Sequence, residues 1–184
     1  CFDDLDGSHA HEPYIIYRDG GYMLDTQSSI WVDVQAFERE YSAGYRLERA
    51  GRLPEAIPFY MRAEALYTDD FLKEDLCEEW TLVRREHLKD TYLTILDKLS
   101  RYWLQMGLYD QAVEGWKKLL AKDPWREDAY RHLMVCLAET GKRGLALRWY
   151  KHCKQVLEEQ IGIEPEPDTT EIYRSVCAGQ EHFP

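Results

Sequence analysis

Long apolar runs are missing from this sequence, and no stretch approaches the roughly 18–20 residues that a membrane-spanning helix needs. A basic and then apolar leader peptide is missing as well. We therefore expect no membrane segment. Because the first residue is Cys1, we also expect the chain to be a piece of a longer protein.

Cysteine is scarce, and its arrangement argues against two kinds of site. The count is five, which is odd, and no two cysteines form a C-x-x-C pair. Cysteine-based zinc sites and disulfide frameworks are therefore not expected. We expect reduced thiols and a cytoplasmic location.

Basic charge is also in short supply. The chain has 23 lysines and arginines against 34 acidic residues, which gives a net charge of −11. Residues 1–31 carry a single base, Arg18. A DNA-binding surface needs clustered basic side chains to neutralise phosphates, so we do not expect this chain to read DNA by itself.

Catalytic motifs are missing too. The sequence has neither G-x-x-x-x-G-K-[ST] nor G-x-S-x-G. His9 and His11 lie two residues apart without a third ligand, which does not indicate a metal site. Cys136 and Cys153 fall at small-residue positions of the repeat described next, which favours core packing over reactivity. We expect no catalytic residue, cofactor or metal, and an unrecognised hydrolase is the weakest alternative.

A repeat of 34 residues is the strongest pattern present. This period is that of the tetratricopeptide (TPR) helix–turn–helix unit. An ordinary helical bundle shares the 3.6-residue period but does not keep glycine, alanine and an aromatic residue in one register. The matched positions are Gly107 with Gly141, Ala112 with Ala146, and Trp116 with Tyr150.

Each repeated position has a physical role. The glycine ends the first helix of a unit in the left-handed conformation. The alanine lets the two helices of a hairpin cross closely, and the aromatic residue fills the gap to the next hairpin. Asp123 and Pro124 stop one second helix and start the following unit.

A third copy lies upstream, in residues 44–66. Gly51, Ala56 and Tyr60 take the three repeated positions. Ala56 and Ala112 are 56 residues apart, so about 22 residues are inserted between the first and second units. We expect the insertion to lengthen the first helix of unit two, from about residue 79 to residue 106.

The chain's two ends differ from the repeat. Residues 14–18 and 21–24 are β-prone runs around Asp19-Gly20, which predicts a hairpin, and Asp33 is the expected N-cap of the first helix. At the other end, residues 168–179 predict a capping helix, with Asp168 or Thr169 as its N-cap.

The predicted fold class is therefore all-α. We expect a TPR-like right-handed superhelix of three helical hairpins plus a C-terminal capping helix, with a short N-terminal β-hairpin. The predicted domains are residues 1–31, a hairpin and linker, and residues 32–184, the helical domain.

Three candidate sites follow from this register. The first is the concave groove lined by the first helix of each unit, where a peptide or domain docks unless the chain's own hairpin or capping helix fills it. The second is a basic helix that could contact phosphate or an acidic partner, although a solvated outer face is the simpler interpretation. The groove residues are Tyr41, Tyr45, Asp97, Arg101, Arg131 and Val135, and the basic residues are Lys142, Arg143, Arg148, Lys151 and Lys154.

The third candidate lies early in the long helix, where Trp80, Arg84 and Arg85 are grouped. Arg84 could reach a carboxylate or clamp the inserted loop. We expect Trp80 to be a core anchor.

The order of several motifs resembles the bacterial transcriptional activation domain of SARP-type regulators (Streptomyces antibiotic regulatory proteins and relatives). The resemblance covers roughly residues 14–176, and no single motif carries it. The similar stretches are Gly20-Gly21-Tyr22-Met23-Leu24, Val32-Asp33-Val34 with Phe37-Glu38, Tyr67 with Asp70-Phe71-Leu72, Asp123-Pro124 with Tyr130-Arg131, and Ile161-Gly162-Ile163-Glu164-Pro165. The residues taken as its structural signature are Trp80, Arg84, Gly107, Ala112, Trp116, Pro124, Gly141, Ala146 and Tyr150.

The resemblance implies a regulatory role. In that family a winged helix binds promoter DNA, and the TPR-like domain behind it mediates dimerisation or contacts other domains. Only the last hairpin of the winged helix has a counterpart here, so DNA binding is expected only through the missing part. The implied partners are a second copy, other domains of the regulator or the transcription machinery. A free-standing TPR adaptor that binds a peptide is the alternative, which the Gly20-Gly21-Tyr22 hairpin disfavours.

Overall fold

The computed structural model describes residues 15–24, 31–74 and 79–179. The elements in these ranges form a hairpin of two strands and three helical hairpins that are followed by a last helix. The two helices of each hairpin pack together, and the last helix packs on both helices of unit three. The predicted all-α TPR-like fold is confirmed. The elements are β1 (Ile15–Arg18), β2 (Gly21–Leu24), α1 (Asp33–Arg49), α2 (Leu53–Leu66), α3 (Glu79–Gln105), α4 (Tyr109–Lys122), α5 (Glu127–Glu139), α6 (Arg143–Ile161) and α7 (Pro167–Ala178).

The turn inside each unit is made by a glycine in the left-handed conformation. The φ angles are +75° at Gly51, +71° at Gly107 and +72° at Gly141. In the second unit, the backbone N–H of Leu108 donates to the carbonyl of Trp103 at 2.8 Å, which closes a Schellman-type cap. The glycine positions of the repeat therefore have the conformation that was predicted.

The core lies where the hairpins cross and stack. Ala56, Ala112 and Ala146 are fully buried, as are the rings of Tyr60 and Trp116. These buried side chains belong to one continuous core that runs through all three hairpins.

The insertion between the first two units lengthens α3 at its N-terminal end. The helix has 27 residues, and its bounds agree with the prediction to within one residue. In the loop before it, Tyr67 stacks on Tyr92 with ring centroids 4.1 Å apart. Arg85 donates to the carbonyls of Phe71 at 2.8 Å and of Leu72 at 3.0 Å, so this guanidinium fixes the loop on α3.

Two predicted helix caps were wrong, the first by one residue and the second by two or three. The N-cap of α1 is Val32, and Asp33 is the first helical residue. The N-cap of α7 is Glu166 instead of Asp168 or Thr169, and Pro167 takes the first helical position. Proline suits that position because its φ angle is already helical and it has no N–H to leave unpaired.

The N-terminal hairpin is antiparallel, as predicted, and Arg18 pairs with Gly21 next to the turn. Asp19 and Gly20 have φ angles of +53° and +84°, the signs that a type I′ turn requires. Tyr14, which was predicted in the first strand, lies outside the described residues.

In the described part of the chain, we found no helix with both the length and the apolar character needed to span a membrane.

Candidate protein-binding face

The first helices of the three units run along one face, and ion pairs join each of them to the next such helix. Lys98 of α3 lies 2.5 Å from Glu48 of α1. Arg101 of α3 lies 3.3 Å from Asp128 of α5. A further ion pair joins Arg131 of α5 to the loop before α7. Because these pairs neutralise many of the charges on this face, we expect its uncharged side chains to make the main contacts with a partner.

Unit one contributes an aromatic cluster to this face. Tyr41 stacks on Tyr45 with ring centroids 6.0 Å apart, and it also contacts the buried ring of Tyr60. Tyr45 is 43% exposed. Of the six predicted groove residues, Tyr45 is the exposed one, whereas Tyr41 is half-buried and packs on the core.

The cluster is tied to the first ion pair. The hydroxyl of Tyr60 donates to Glu48 at 2.5 Å. Burial would raise the pKa of Glu48, but the hydrogen bonds from Lys98 and Tyr60 outweigh it and hold the pKa below its ordinary value. Burial together with the Glu48 carboxylate raises the pKa of Tyr60 well above its ordinary value. Neither Glu48 nor Lys98 was among the predicted groove residues.

Unit two places a compact charge network on the face. Arg101 also pairs with Asp97 at 2.8 Å, and Asp97 accepts a 3.4 Å hydrogen bond from the indole of Trp116. Burial opposes ionisation of Asp128, yet Arg126 and Arg101 hold its pKa below the ordinary value. The predicted groove residues Asp97 and Arg101 therefore hold helices together.

Unit three is engaged by the C-terminal helix. Arg131 pairs with Glu166 at 2.8 Å and donates to Thr169 at 3.0 Å. Glu127 accepts the backbone N–H of Glu166 at 2.8 Å, which fixes the start of α7. Val135 lines a cavity of about 360 Å³ between α5 and α7. At this end of the array, the predicted groove residues Arg131 and Val135 lie against α7.

The basic helix α6 is only partly free. Lys142 pairs with Asp110 at 2.8 Å, and Lys154 pairs with Glu164 at 2.9 Å. Arg143 donates to the backbone carbonyl of Cys177 near the C-terminal end of α7. The remaining two bases, Arg148 and Lys151, are exposed and form no ion pair with another described residue.

The prediction for Trp80 was wrong. Its side chain is 69% exposed, so it is not a core anchor. Arg84 does reach a carboxylate, at 2.7 Å from Glu38, but the side chain that clamps the inserted loop is Arg85. Helical phase could have shown this, because Arg85 precedes the buried Leu88 by three residues and shares its face.

The described cysteines and histidines are packed or exposed without forming a reactive cluster. Cys136 and Cys153 are fully buried, and burial raises the pKa of both thiols to about 12. His132 stacks on Trp116. Residues 31–74 and 79–179 contain no group of three side chains that could hold a metal ion, and the pair His9 and His11 lies outside the described residues.

Comparison with known proteins identifies the family. The family described as "Bacterial transcriptional activator domain" matches residues 32–177. The chain is 26% identical over 146 residues to the regulatory protein DnrI of Streptomyces peucetius. This alignment covers 79% of this chain and 53% of DnrI. The chain is also 27% identical over 181 residues to the regulatory protein AfsR of Streptomyces griseus. This second alignment covers 92% of this chain and 17% of AfsR.

Solved structures show the same fold. Mycobacterium tuberculosis EmbR, solved in complex with a low-affinity phosphopeptide, superposes with a TM-score of 0.66 at 19% identity, over 91% of this chain and 44% of EmbR. The C-terminal TPR-containing domain of a Plasmodium falciparum FK506-binding protein gives 0.56 at 16% identity, over 80% of this chain and 92% of that one. This chain spans about half the length of DnrI and less than a fifth of the length of AfsR. These relatives are SARP-family regulators, and the chain itself belongs to the bacterial transcriptional activator domain family.

Proposed function

We propose that this chain is the regulatory and oligomerisation domain of a SARP-type DNA-binding regulator, and that it acts through protein–protein contacts. Residues 32–184 form the contact domain in this proposal. Residues 1–31 are what remains of a winged-helix domain, whose last hairpin is β1–β2. The regulator works in the cytoplasm and without catalysis.

The observation that carries the proposal is the concave face. Ion pairs between successive first helices neutralise many of its charges and brace it as one surface. Tyr45, which stacks on the half-buried Tyr41, remains accessible on it. A rigid surface with an accessible aromatic side chain suits protein recognition, because little side-chain entropy is lost on binding.

The relatives support a protein partner. EmbR, 44% of which this chain covers, has been solved with a bound phosphopeptide, so a protein that contains this fold can take part in peptide recognition. The charge of this chain supports the same view, since a net charge of −11 opposes direct contact with DNA. We therefore assign promoter binding to the winged-helix part and partner binding to the TPR-like part.

Two measurements on this chain test the proposal. Sedimentation equilibrium should show a dimer, and a strict monomer at high concentration would remove the oligomerisation role. A mobility-shift assay with promoter DNA at physiological salt should show no complex. Tight promoter binding by this chain alone would contradict the division of labour between the two parts.

A further inference from the structure

Helix α1 carries its glutamates and its arginines on different sides. Each of its three glutamates is paired with a base on a neighbouring helix. The pairs are Glu38 with Arg84 at 2.7 Å, Glu40 with Arg62 at 2.9 Å and Glu48 with Lys98 at 2.5 Å. The glutamate charges of this helix are therefore neutralised within the domain.

The three arginines of α1 are not neutralised in this way. Arg39, Arg46 and Arg49 are all exposed. None of them forms an ion pair with another described residue, although the chain as a whole carries a net charge of −11. We call these three residues the α1 arginine face.

The α1 arginine face lies opposite the packed side of the helix. At 100° per residue, Arg46 lies about 180° around the helix from the buried Phe37, and Arg39 lies within about 20° of Arg46. Arg49 follows Arg46 by about one turn, so the three positions span about 15 Å along the helix axis. No acidic residue of α1 lies closer than about 80° around the helix to Arg39 or Arg46. The outward side of α1 is therefore a strip of positive charge.

This strip borders the concave face. Tyr45 and Arg49 are four residues apart, so they are neighbours on the helix surface. Tyr45 is also the exposed aromatic side chain of the concave face. Because tyrosine and arginine are the residue types that often dominate binding energy, the concave face and the α1 arginine face can serve one partner.

We propose that the α1 arginine face binds an acidic segment of the partner protein that contacts Tyr45. This inference rests on the proposed function and gives the partner its chemistry. A guanidinium group can donate two parallel hydrogen bonds to one carboxylate. A segment with several carboxylates along about 15 Å matches the rise from Arg39 to Arg49.

The charge of the whole chain favours this occupant over two others. Duplex DNA extends beyond α1, so it would meet the repulsive potential of a chain whose net charge is −11. A second copy would bring the same net charge to the complex, which opposes association. An acidic segment carries only a few charges and ends at the α1 arginine face, so it meets the least repulsion.

Fluorescence anisotropy of a labelled peptide tests the site on the 184-residue chain. The probe is an alanine-based helical peptide with glutamates along one side, and its control carries glutamines instead. The titration is done at low ionic strength, where exposed charges are screened least. We expect the chain to bind the glutamate peptide and not the glutamine peptide, and equal binding of both would overturn the proposal.

Two matched variants make the result specific to α1. Arg46→Glu should raise the dissociation constant of the glutamate peptide by about fivefold or more, because an exposed attraction becomes a repulsion. Arg174→Glu makes the same change in net charge on α7, at an arginine that is also exposed and has no ion pair with another described residue. It should leave the dissociation constant within about twofold, because distant charges are screened. Equal weakening by both variants would reflect net charge alone and would overturn the proposal.

Other occupants would give different results. Labelled duplex DNA that binds more tightly than the peptide, and is lost in Arg46→Glu, would assign the face to DNA. Self-association that is lost in Arg46→Glu would assign it to a second copy. Tighter peptide binding by Asp3→Asn/Asp4→Asn/Asp6→Asn would assign it to the chain's own N-terminal residues. Each of these results would overturn the proposal.

Reporter activation in the DNA-binding regulator separates this inference from the proposed function. Arg46→Glu should leave promoter binding intact and lower activation, whereas Arg174→Glu should change neither. Full activation by a promoter-binding Arg46→Glu protein would overturn the acidic-segment site. The proposed function would still stand if Tyr45→Glu abolished activation, and it would fail if Tyr45→Glu activated fully.

Discussion

The carboxylate of Glu48 lies 2.5 Å from the ammonium group of Lys98 and so connects the first helices of units one and two. The same carboxylate accepts the hydroxyl of Tyr60. A single acidic side chain thus joins the aromatic cluster of the concave face to the charge pairs that brace it.

This arrangement predicts a dependence of stability on pH. Because the pKa of folded Glu48 is below its ordinary value of 4.5, its contribution is fully present above that value. The contribution is lost as the pH falls through the lower folded-state pKa. Urea unfolding between pH 3 and pH 7 should show Glu48→Gln losing less stability on acidification than the unsubstituted chain. Identical pH slopes for the two proteins would contradict this assignment.

The contact between Gly44 and Tyr60 predicts a second effect. A Cβ atom at Gly44 would lie 2.8 Å from Cε1 of Tyr60, whose ring is fully buried and has little freedom to move. Gly44→Ala should lower the free energy of unfolding, since overpacking costs about 1–3 kcal/mol and exceeds the gain of up to ~1 kcal/mol in helix propensity. Gly144→Ala is the matched control, because nothing lies within 4 Å of its added Cβ. Equal unfolding midpoints for the two variants would disprove the close packing.

Neighbouring arginines of α3 should differ in their effect on the inserted loop. Arg85→Met removes buried, charged hydrogen bonds to the loop carbonyls, which are worth about 1.5–3 kcal/mol. Arg84→Met removes a partly exposed ion pair with Glu38, worth about 0.2–1 kcal/mol. Urea unfolding should rank the two variants in this order. Limited proteolysis should cut residues 69–74 faster only in Arg85→Met, and equal cleavage in both variants would refute the clamp.

The last helix should be needed to keep unit three covered. Ile172 and Val176 of α7 are buried against the last hairpin. Ile172→Asp should therefore release α7, lower the unfolding midpoint and increase aggregation, because terminal repeats need a polar outer cover. Glu171→Lys is the control on the exposed side of the same helix. Unchanged hydrogen exchange in α5 of the Ile172→Asp variant would count against a covering role.

The repeat register could be predicted because its residues obey local rules. Gly107 must adopt a positive φ to close the turn, and Ala112 must be small because α3 and α4 cross closely there. The spacing of these residue types located the hairpins. Trp80 was misplaced because residue type suggested burial, whereas the buried side of the first turns of α3 carries Arg85, which lies about 140° around the helix from Trp80. The bond between Arg131 and Glu166 joins positions 35 residues apart and depends on how α7 docks, which no local pattern specifies.

The central claim is that this domain acts through protein contacts on its concave face, and Tyr45 offers the most direct test. In the DNA-binding regulator that carries this domain, Tyr45→Glu should leave promoter binding in a mobility shift unchanged and should abolish activation of a promoter-driven reporter. Met61→Glu, on the outer helix α2, should affect neither. Full activation by a folded, promoter-binding Tyr45→Glu protein would contradict the account.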